Sequence, residues 1–448
     1  MLKVLIEEDR LDRDFIERHT VGFAEVRSRL AEESLDDLAA NAGVARAVVV
    51  DLARRYGAAR NAIFMWAMGI THHEHGVDNV LAITNLALAR GMVGRKHAGL
   101  MPIRGHSNVQ GIGSMGFSPR IKSGMLAALE KFYGLEAPAA PGLDSIGSIH
   151  AAHRGDIDFA LLLGGNFYSA NPDESYTAEA LRRIRTTVHI HTKLNPGHVR
   201  YRPSHPRSEV FILPTCVRDE ELQATTQESM FSFVRLSAGG MDRPSGTLKS
   251  EVEIVTGIGA RLLPKDGPID FAALTNHDAI RAVMGRVVPG YGRVADLAKT
   301  GAEFHVEGRV RHEPRFPAVD GRARFHPVSS PVDALGPGEL RLMTIRSEGQ
   351  FNTVVYEEHD RYRHQTSRDV ILLNPEDIAA LGLREGDGVT VVSATGALAG
   401  IRVSAYDIAR GCAAMYYPEA NTLVGRRVDA KCGTPSYKNV RVKLRKVT

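Results

Sequence analysis

The first 110 residues alternate between amphipathic helical segments and one short apolar segment. Apolar residues recur at helical spacing among charged residues in LDRDFIERHT and FAEVRSRLAEESLDDLAANAG. Residues 62–68 (AIFMWAM) are apolar and bounded by Gly69, which predicts a fully buried strand. GVDNVLAITNLALARG then predicts a helix that ends at Gly91. This order of helix, strand and helix predicts α/β layering.

A second α/β block follows with the same order of elements. Residues 157–166 (IDFALLLGGN) predict a buried strand that runs into glycines, 171–185 a helix, and 186–195 a second strand. Because the joints are short, this βαβ unit predicts parallel strands, and the strand-like residues 211–215 could extend the sheet. Residues 312–338 are rich in Pro, Gly and Arg and predict an irregular connection.

The hydrophobic pattern changes to short strands after Glu339. Six apolar segments separated by turns, with one short helix (PEDIAALG), predict a compact β-barrel. The predicted fold class is therefore α/β, with parallel-sheet layers in partial domains followed by a C-terminal β-barrel. We predict three regions, at 1–110, 111–335 and 336–448.

Composition and charge exclude several classes of protein. The 448 residues include only three cysteines, at 216, 412 and 432, which argues against a disulfide scaffold or a four-cysteine iron–sulfur site. The formal charge of +4 over this length does not indicate a nucleic-acid partner. The C-terminal residues RVKLRKVT alternate apolar and basic side chains, which predicts an edge strand. Neither a targeting segment nor an apolar run of about 18 residues is evident, so we expect a cytoplasmic protein without a membrane span.

A glycine-rich segment at 100–116 carries dense polar chemistry. It places Arg104, His106, Ser107, Asn108 and Gln110 between glycines. Glycines at this density allow backbone conformations with positive φ, and the polar side chains suit an extended polar ligand. An ordinary glycine-rich surface loop explains the composition equally well.

Two neighbouring strand ends in the second block predict a ligand site. One strand ends in Gly164, Gly165 and Asn166, and the next is followed by Lys193 and Asn195, with His198 beyond. The carboxyl ends of parallel strands are where α/β proteins bind ligands, and these residues favour a phosphate-bearing ligand. For His189 and His191 we favour packing in the sheet over a metal site.

Two further groups of polar residues allow more than one interpretation. His72, His73 and His75 lie close together, but their spacing suits a polar loop better than a metal site. Polar residues in the loops of the predicted barrel fit either a barrel mouth that binds a cofactor or ordinary turn chemistry; they are Asn352, Asn421, Tyr437 and Lys438. No set of metal ligands is predicted.

Ordered motifs give the chain a resemblance to a known family. RGHSNVQG, LGGNF, TKLNPGH, NPEDIAALGLREGDGVTVVSATG, YYPEANTLV and TPSYKNVRVKL resemble the molybdopterin oxidoreductase family, formate dehydrogenase alpha-subunit type. The resemblance implies a double-psi-like barrel and a molybdenum or tungsten ion held by molybdopterin guanine dinucleotide. It also implies a 4Fe-4S cluster, although the cluster ligands are absent from this chain.

The resemblance also implies roles for individual residues. Arg104 would orient a small carboxylate such as formate, with His106, Asn108 and Gln110 at the pterin or substrate pocket. The strand-end residues would line one guanine dinucleotide, and the polar residues of the barrel loops would approach the pterins. The motif reads RGHSN here, where formate dehydrogenases tend to carry RGQNN, so we expect a formate-like carboxylate.

The family's cluster cysteines and metal ligand lie in a segment with no counterpart among these motifs. We therefore expect an oxidoreductase that is inactive as an isolated chain and is completed by a separate, cysteine-rich N-terminal chain. The alternatives are a truncated fragment and a non-catalytic module that binds pterin dinucleotide.

Overall fold

A computed structural model describes residues 1–138, 140–200, 207–307, 313–318, 320–331 and 333–447. Its α-helices, in chain order, are α1 Leu2–Glu7, α2 Arg13–His19, α3 Phe23–Ala31, α4 Leu35–Asn41, α5 Arg46–Ala58, α6 Met68–Thr71, α7 Gly76–Leu88, α8 Val109–Ser114, α9 Ser123–Tyr133, α10 Ser145–Arg154, α11 Phe167–Ala170, α12 Glu174–Arg182, α13 Glu251–Leu262, α14 His277–Val287, α15 Leu297–Thr300 and α16 Pro375–Ala380.

The strands form several separate sheets. In chain order they are β1 Thr20–Val21, β2 Ile63–Trp66, β3 Gly99–Pro102, β4 Phe159–Leu163, β5 Thr186–His191, β6 Glu209–Pro214, β7 Thr225–Glu228, β8 Phe233–Ser237, β9 Phe304–His305, β10 Ala323–Arg324, β11 Leu340–Ile345, β12 Val370–Leu373, β13 Gly388–Val392, β14 Ala397–Ala405, β15 Cys412–Tyr416 and β16 Val440–Lys446.

The chain divides into two compact units, each built from discontinuous segments. Unit 1 contains residues 1–103, 308–338 and 427–438, and unit 2 contains the remainder. The structure therefore groups residues differently from the three consecutive regions predicted from the sequence.

Unit 1 packs short helices around a small apolar core. Phe15, Val26, Leu88 and Phe325 are buried together in this core. The strand β2 pairs in parallel with β3. Its predicted burial was wrong: Ile63 and Met65 are 55% and 61% exposed, because no layer of the described structure covers that face.

Residues from opposite ends of the sequence meet inside unit 1. The backbone N–H of Val77, at the start of α7, donates to the Asp429 carboxylate at 2.9 Å. Asp429 is 2% exposed and also accepts from the backbone N–H of Lys431 at 2.7 Å. Residues 427–438 are thus an integral part of this unit.

In unit 2 the predicted βαβ arrangement is confirmed. The strands β4, β5 and β6 pair in parallel in that order, and α12 connects β4 to β5. The helices α10 and α12 cover one face through a core that includes Ile149, Ala180 and Leu181. The opposite face of β4 is apolar and exposed at Phe159, Leu161 and Leu163.

A second core in unit 2 supports the segment that carries Arg104. The strands β7, β8 and β9 form an antiparallel sheet. Val234 from this sheet is buried with Val287, Tyr291 and Leu297 from the helical layer.

The predicted C-terminal barrel is also confirmed. Its six strands close in the order β11-β15-β12-β14-β13-β16. The prediction of an edge strand at the C-terminus was wrong, because β16 pairs with β11 on one side and β13 on the other. Pro375 begins α16, and Gly382 follows its end with a φ of 66°. Among the described residues, no helix combines the length and apolar composition needed to cross a bilayer.

We predict that shortening the side chain of Leu372, which is fully buried in β12, destabilises the barrel. Leu372→Ala should lower the free energy of unfolding by about 2–5 kcal/mol, because it removes buried methyl groups and leaves a cavity. Thermal unfolding would measure this loss. Lys443→Ala, on an exposed position of β16, is the control, and an equal fall of the midpoint in both variants would contradict the prediction.

Candidate functional site

The segment that carries Arg104 is held at one end by aromatic packing. Arg104 is exposed, and its side chain forms no hydrogen bond or ion pair within the described part of the chain. The His106 ring packs edge-on against Phe351, with centroids 4.6 Å apart. Burial, and then the nearby Arg346 charge, lower the pKa of His106. The lowered pKa favours the neutral form of the His106 imidazole, and the exposed Arg104 guanidinium is accessible to an anion.

A buried carboxylate fixes the middle of the same segment. Asn108 adopts a left-handed conformation, and its Oδ1 accepts from the backbone N–H of Glu228 at 3.0 Å. Ser114 Oγ and the Tyr291 hydroxyl both donate to Glu228 Oε2. The contact with Glu228 shows that the Asn108 side chain holds the segment in place. Gln110 is half-buried on α8. Sequence analysis missed Glu228, because its contacts join distant parts of the chain.

A tight turn at the end of β4 shapes the second part of the site. Gly164 and Gly165 both have positive φ, at 68° and 70°, and no atom lies within 4 Å of where either Cβ would be. Asn166 follows and is 2% exposed. Its Oδ1 accepts from the backbone N–H of Ser169 at 3.0 Å, and its Nδ2 donates to the Thr353 carbonyl at 3.3 Å.

Asn195 connects this turn to the end of β5. Its Nδ2 donates to the Gly165 carbonyl at 3.1 Å, and its Oδ1 accepts from the backbone N–H of Gly197 at 2.9 Å. A Cβ on Gly197 would lie 2.9 Å from this Oδ1 and 3.0 Å from Asn166 Oδ1. Glycine is therefore required here by the close approach of the two amides. Lys193, in the same loop, is exposed.

Three histidines meet behind the turn. His189, His191 and His198 each bring a ring nitrogen to within 4.8 Å of the other two. Burial, and then neighbouring imidazoles, lower the pKa values of His189 and His191 from 6.5 to about 4. The rings are therefore neutral at pH 7. Three close imidazoles are the type of group that can hold a metal ion. The sequence analysis favoured packing in the sheet for His189 and His191.

The barrel contributes buried polar contacts to the same region. Asn421 is 1% exposed, and its Nδ2 donates to the Ser169 carbonyl at 2.7 Å. The Tyr417 hydroxyl donates to the Ala170 carbonyl at 3.1 Å. Asn421 thus bonds to the loop after β4, and Asn166 of that loop bonds in turn to the Thr353 carbonyl. Asn352 instead closes a turn, where its Oδ1 accepts from Val354 N–H at 2.6 Å.

A buried arginine organises the loops of the barrel. Arg368 is 3% exposed and donates to both carboxylate oxygens of Glu419, at 2.6 and 2.9 Å. It also donates to the Tyr417 carbonyl at 2.8 Å and lies against the Tyr416 ring. Sequence analysis did not single it out. Its one sequence signal is a charge placed immediately before the apolar strand segment DVILLN.

Two residues expected at the barrel mouth belong to unit 1 instead. The Tyr437 ring lies 5.3 Å from the His72 ring, and the backbone N–H of Lys438 donates to the His72 carbonyl at 3.1 Å. Both residues fall in the segment 427–438 of that unit. The residues that the structure brings together in unit 2 are Gly164, Gly165, Asn166, Asn195 and Asn421.

Two family profiles match separate parts of the chain. Residues 16–195 match the profile of a family described as "Molybdopterin oxidoreductase". Residues 340–441 match the profile of a family described as "Molydopterin dinucleotide binding domain". The second match covers the barrel from β11 to the start of β16, and the first ends at Asn195. The chain belongs to the molybdopterin oxidoreductase family. The cofactor of these domains is molybdopterin guanine dinucleotide with molybdenum or tungsten.

Similar proteins extend along nearly the whole chain. The uncharacterized oxidoreductase Rv2900c of Mycobacterium tuberculosis is 34% identical over 97% of this chain and 57% of its own length. Protein YdeP of Escherichia coli is 31% identical over 99% of the chain and 61% of its own length. The F420-dependent formate dehydrogenase subunit alpha of Methanocaldococcus jannaschii is 24% identical over 100% of the chain and 67% of its length.

The chain therefore spans about three fifths of the length of the first two relatives. Among solved structures, acetylene hydratase from Pelobacter acetylenicus superposes with a TM-score of 0.66 at 14% identity. It covers 100% of this chain and 69% of its own. At that identity the likeness shows a shared fold.

We predict that stability falls with acidification because of the buried histidines. In the unfolded chain these rings take up protons near pH 6.5, whereas the folded pKa values of His189 and His191 are about 4. The unfolded state thus binds more protons between these values, so stability is full above pH 6.5 and declines towards pH 4. Thermal midpoints from pH 7.5 to 5 would measure the slope.

A double variant tests the assignment of that slope. His189→Asn with His191→Asn should reduce the decline, since it removes both imidazoles from the buried cluster. His305→Asn removes an exposed ring and should leave the decline unchanged. A decline of equal steepness in all three proteins would refute the prediction.

We also predict that the Asn421 amide holds the barrel loop against the strand-end loop. Asn421→Ala should cost about 1–3 kcal/mol, because the buried Ser169 carbonyl loses its donor. Urea unfolding would measure the loss. Thr422→Ala, at the neighbouring half-buried position, serves as the control. The prediction fails if the two variants are equally stable.

Proposed function

We propose that this chain binds molybdopterin guanine dinucleotide at the strand ends of β4 and β5 and serves a formate dehydrogenase-like oxidoreductase. One observation supports the proposal most directly: the loop that follows β4 and the loops of the barrel are joined by hydrogen bonds. Asn166 donates to the Thr353 carbonyl, and Asn421 donates to the Ser169 carbonyl. We call this contact the junction. It brings parts of both matched family regions to one place.

The residues around the Gly164–Gly165 turn have the space and the polar groups that a dinucleotide needs. The two glycines leave open space where side chains would be, which allows a ligand to approach the backbone closely. Next to them, His191 and His198 carry buried Nε2 atoms that have no partner within the described residues. A polar ligand at the turn would satisfy such groups. We therefore assign Gly164, Gly165, Asn166 and Asn195 to binding the dinucleotide.

We assign the chemistry of the substrate to the segment around Arg104. The exposed guanidinium is suited to pair with a small carboxylate such as formate, and Glu228 holds the segment in place through Asn108. The neutral His106 could accept a proton beside that carboxylate. When bound, the molybdenum or tungsten of the cofactor would supply the redox chemistry.

We further propose that a cysteine-rich segment completes the enzyme. Rv2900c and YdeP are both longer than this chain, which covers 57% and 61% of their lengths. The exposed apolar face of β4 offers Phe159, Leu161 and Leu163 to such a segment. Parallel sheets are normally covered on both faces, which supports a missing layer here. The free cysteines fit a cytoplasmic location.

The first test is the cofactor content of the purified chain. Produced in a host that makes molybdopterin cofactors, it should release guanine nucleotide on hydrolysis in about equimolar amount, with molybdenum or tungsten detected by elemental analysis. Asn166→Leu should lower that content, because the amide that joins the turn to Thr353 is lost. Leu444→Met, a conservative change on the barrel, is the control. Absence of guanine nucleotide from the unsubstituted chain would refute the proposed binding.

The second test separates the complete enzyme from a binding module. The chain alone should not reduce a dye with formate, whereas the chain produced with a cysteine-rich partner should. In that complex Arg104→Gln should raise KM for formate strongly and leave the cofactor content unchanged. Formate-dependent reduction by the chain alone would overturn the need for a partner. A loaded complex without turnover would favour a non-catalytic module.

A further inference from the structure

Three histidines, His189, His191 and His198, form a cluster behind the glycine turn of unit 2. His191 is 6% exposed, and its ring centroid lies 4.6 Å from that of His198 and 5.4 Å from that of His189. Three neutral imidazoles so close together would ordinarily suggest a transition-metal site. The hydrogen bonds around the rings lead to a different conclusion.

The tautomer of His191 is fixed by Asn195. The Oδ1 of Asn195 accepts from Gly197 N–H, so its Nδ2 is the atom that faces His191 Nδ1, at 3.1 Å. An amide nitrogen is a donor, which makes Nδ1 of His191 the acceptor. In a neutral imidazole the proton then lies on Nε2.

The tautomer of His198 is fixed by the backbone. The N–H of Asn195 donates to His198 Nδ1 at 3.2 Å, and a backbone N–H can only donate. The proton of the neutral His198 ring therefore also lies on Nε2. Both Nε2 atoms are buried and have no partner within the described residues.

The cluster is therefore a pair of N–H donors and not a pair of metal ligands. A metal ion needs the lone pair of Nε2, and in both rings that atom already carries the proton. Binding a metal would require two imidazolates or the loss of both hydrogen bonds to Asn195. Two buried donors without acceptors call instead for a ligand that presents acceptor atoms.

We propose that the Nε2–H groups of His191 and His198 bind the O6 and N7 acceptor edge of the guanine base of the dinucleotide. This inference rests on the proposed function, since Asn195 connects His191 directly to the Gly165 carbonyl of the turn. Guanine presents two acceptors on that edge, whereas adenine presents one acceptor and an amino donor. The pair would thus select guanine over adenine.

Nucleotide fragments test this selection with the full chain freed of cofactor. GMP and IMP share the O6 and N7 edge, whereas AMP does not, and IMP lacks the 2-amino group. We expect calorimetry to show GMP and IMP binding with similar affinity and AMP at least about tenfold more weakly. Inorganic phosphate should bind no more strongly than AMP.

His191→Asn and His198→Asn remove the Nε2 donors but keep an Oδ1 acceptor near the position of Nδ1. Each should weaken GMP and IMP about tenfold and leave AMP nearly unchanged. His150→Asn, a histidine of unit 2 that contacts Tyr176, is the matched control and should keep the preference. Nitrogen-15 NMR of the imidazoles in the unsubstituted chain gives a reading independent of variants, with both rings in the Nε2–H form.

Each contrary outcome has a defined meaning. Equal binding of AMP and GMP, loss of IMP binding, or unchanged GMP binding in both variants would overturn the inference and leave the dinucleotide site standing. Zn²⁺ binding that disappears in His191→Asn, or a ring in the Nδ1–H form, would also overturn it. If the unsubstituted chain bound none of the nucleotides, both the inference and the proposed dinucleotide site would fall.

Discussion

Buried amide groups at the strand ends are the constraint on which the candidate site depends. Asn166 and Asn195 hold the loops after β4 and β5, and Asn421 reaches the first of these loops from the barrel. A buried amide left without partners costs free energy, so each must keep its geometry or be replaced together with its neighbours. Gly197 allows this arrangement, because any side chain there would enter the space of both loop amides.

The same rule operates around Arg368 in the barrel. A buried guanidinium is tolerated only when its donors are satisfied, and here Glu419, carbonyl oxygens and aromatic rings surround it. It fixes the loop before Asn421 and thus bears indirectly on the strand-end contacts. Two polar networks, one on each side of the junction, hold the loops of the site in one conformation.

Much of the architecture could be predicted from the sequence, because local patterns determine it. Short apolar segments separated by turns located the barrel strands, and short joints predicted the parallel pairing of β4 and β5, with β6 as a possible extension. Burial of β2 and the edge position of β16 were predicted wrongly, since both depend on which layers lie alongside. The roles of Glu228, Arg368 and the histidine tautomers arise from contacts between distant residues, which one sequence does not reveal.

The contact between Val77 and Asp429 has a consequence for how the chain is made. These residues are 352 positions apart in the sequence. At about 5–20 residues per second, the ribosome needs roughly 18–70 s after it adds Val77 to reach Asp429. Unit 1 cannot complete its fold during that interval, and its nascent helices stay available to chaperones and proteases. Synthesis of unit 1 therefore starts before that of unit 2, but unit 1 is complete only after residues 427–438 have been made.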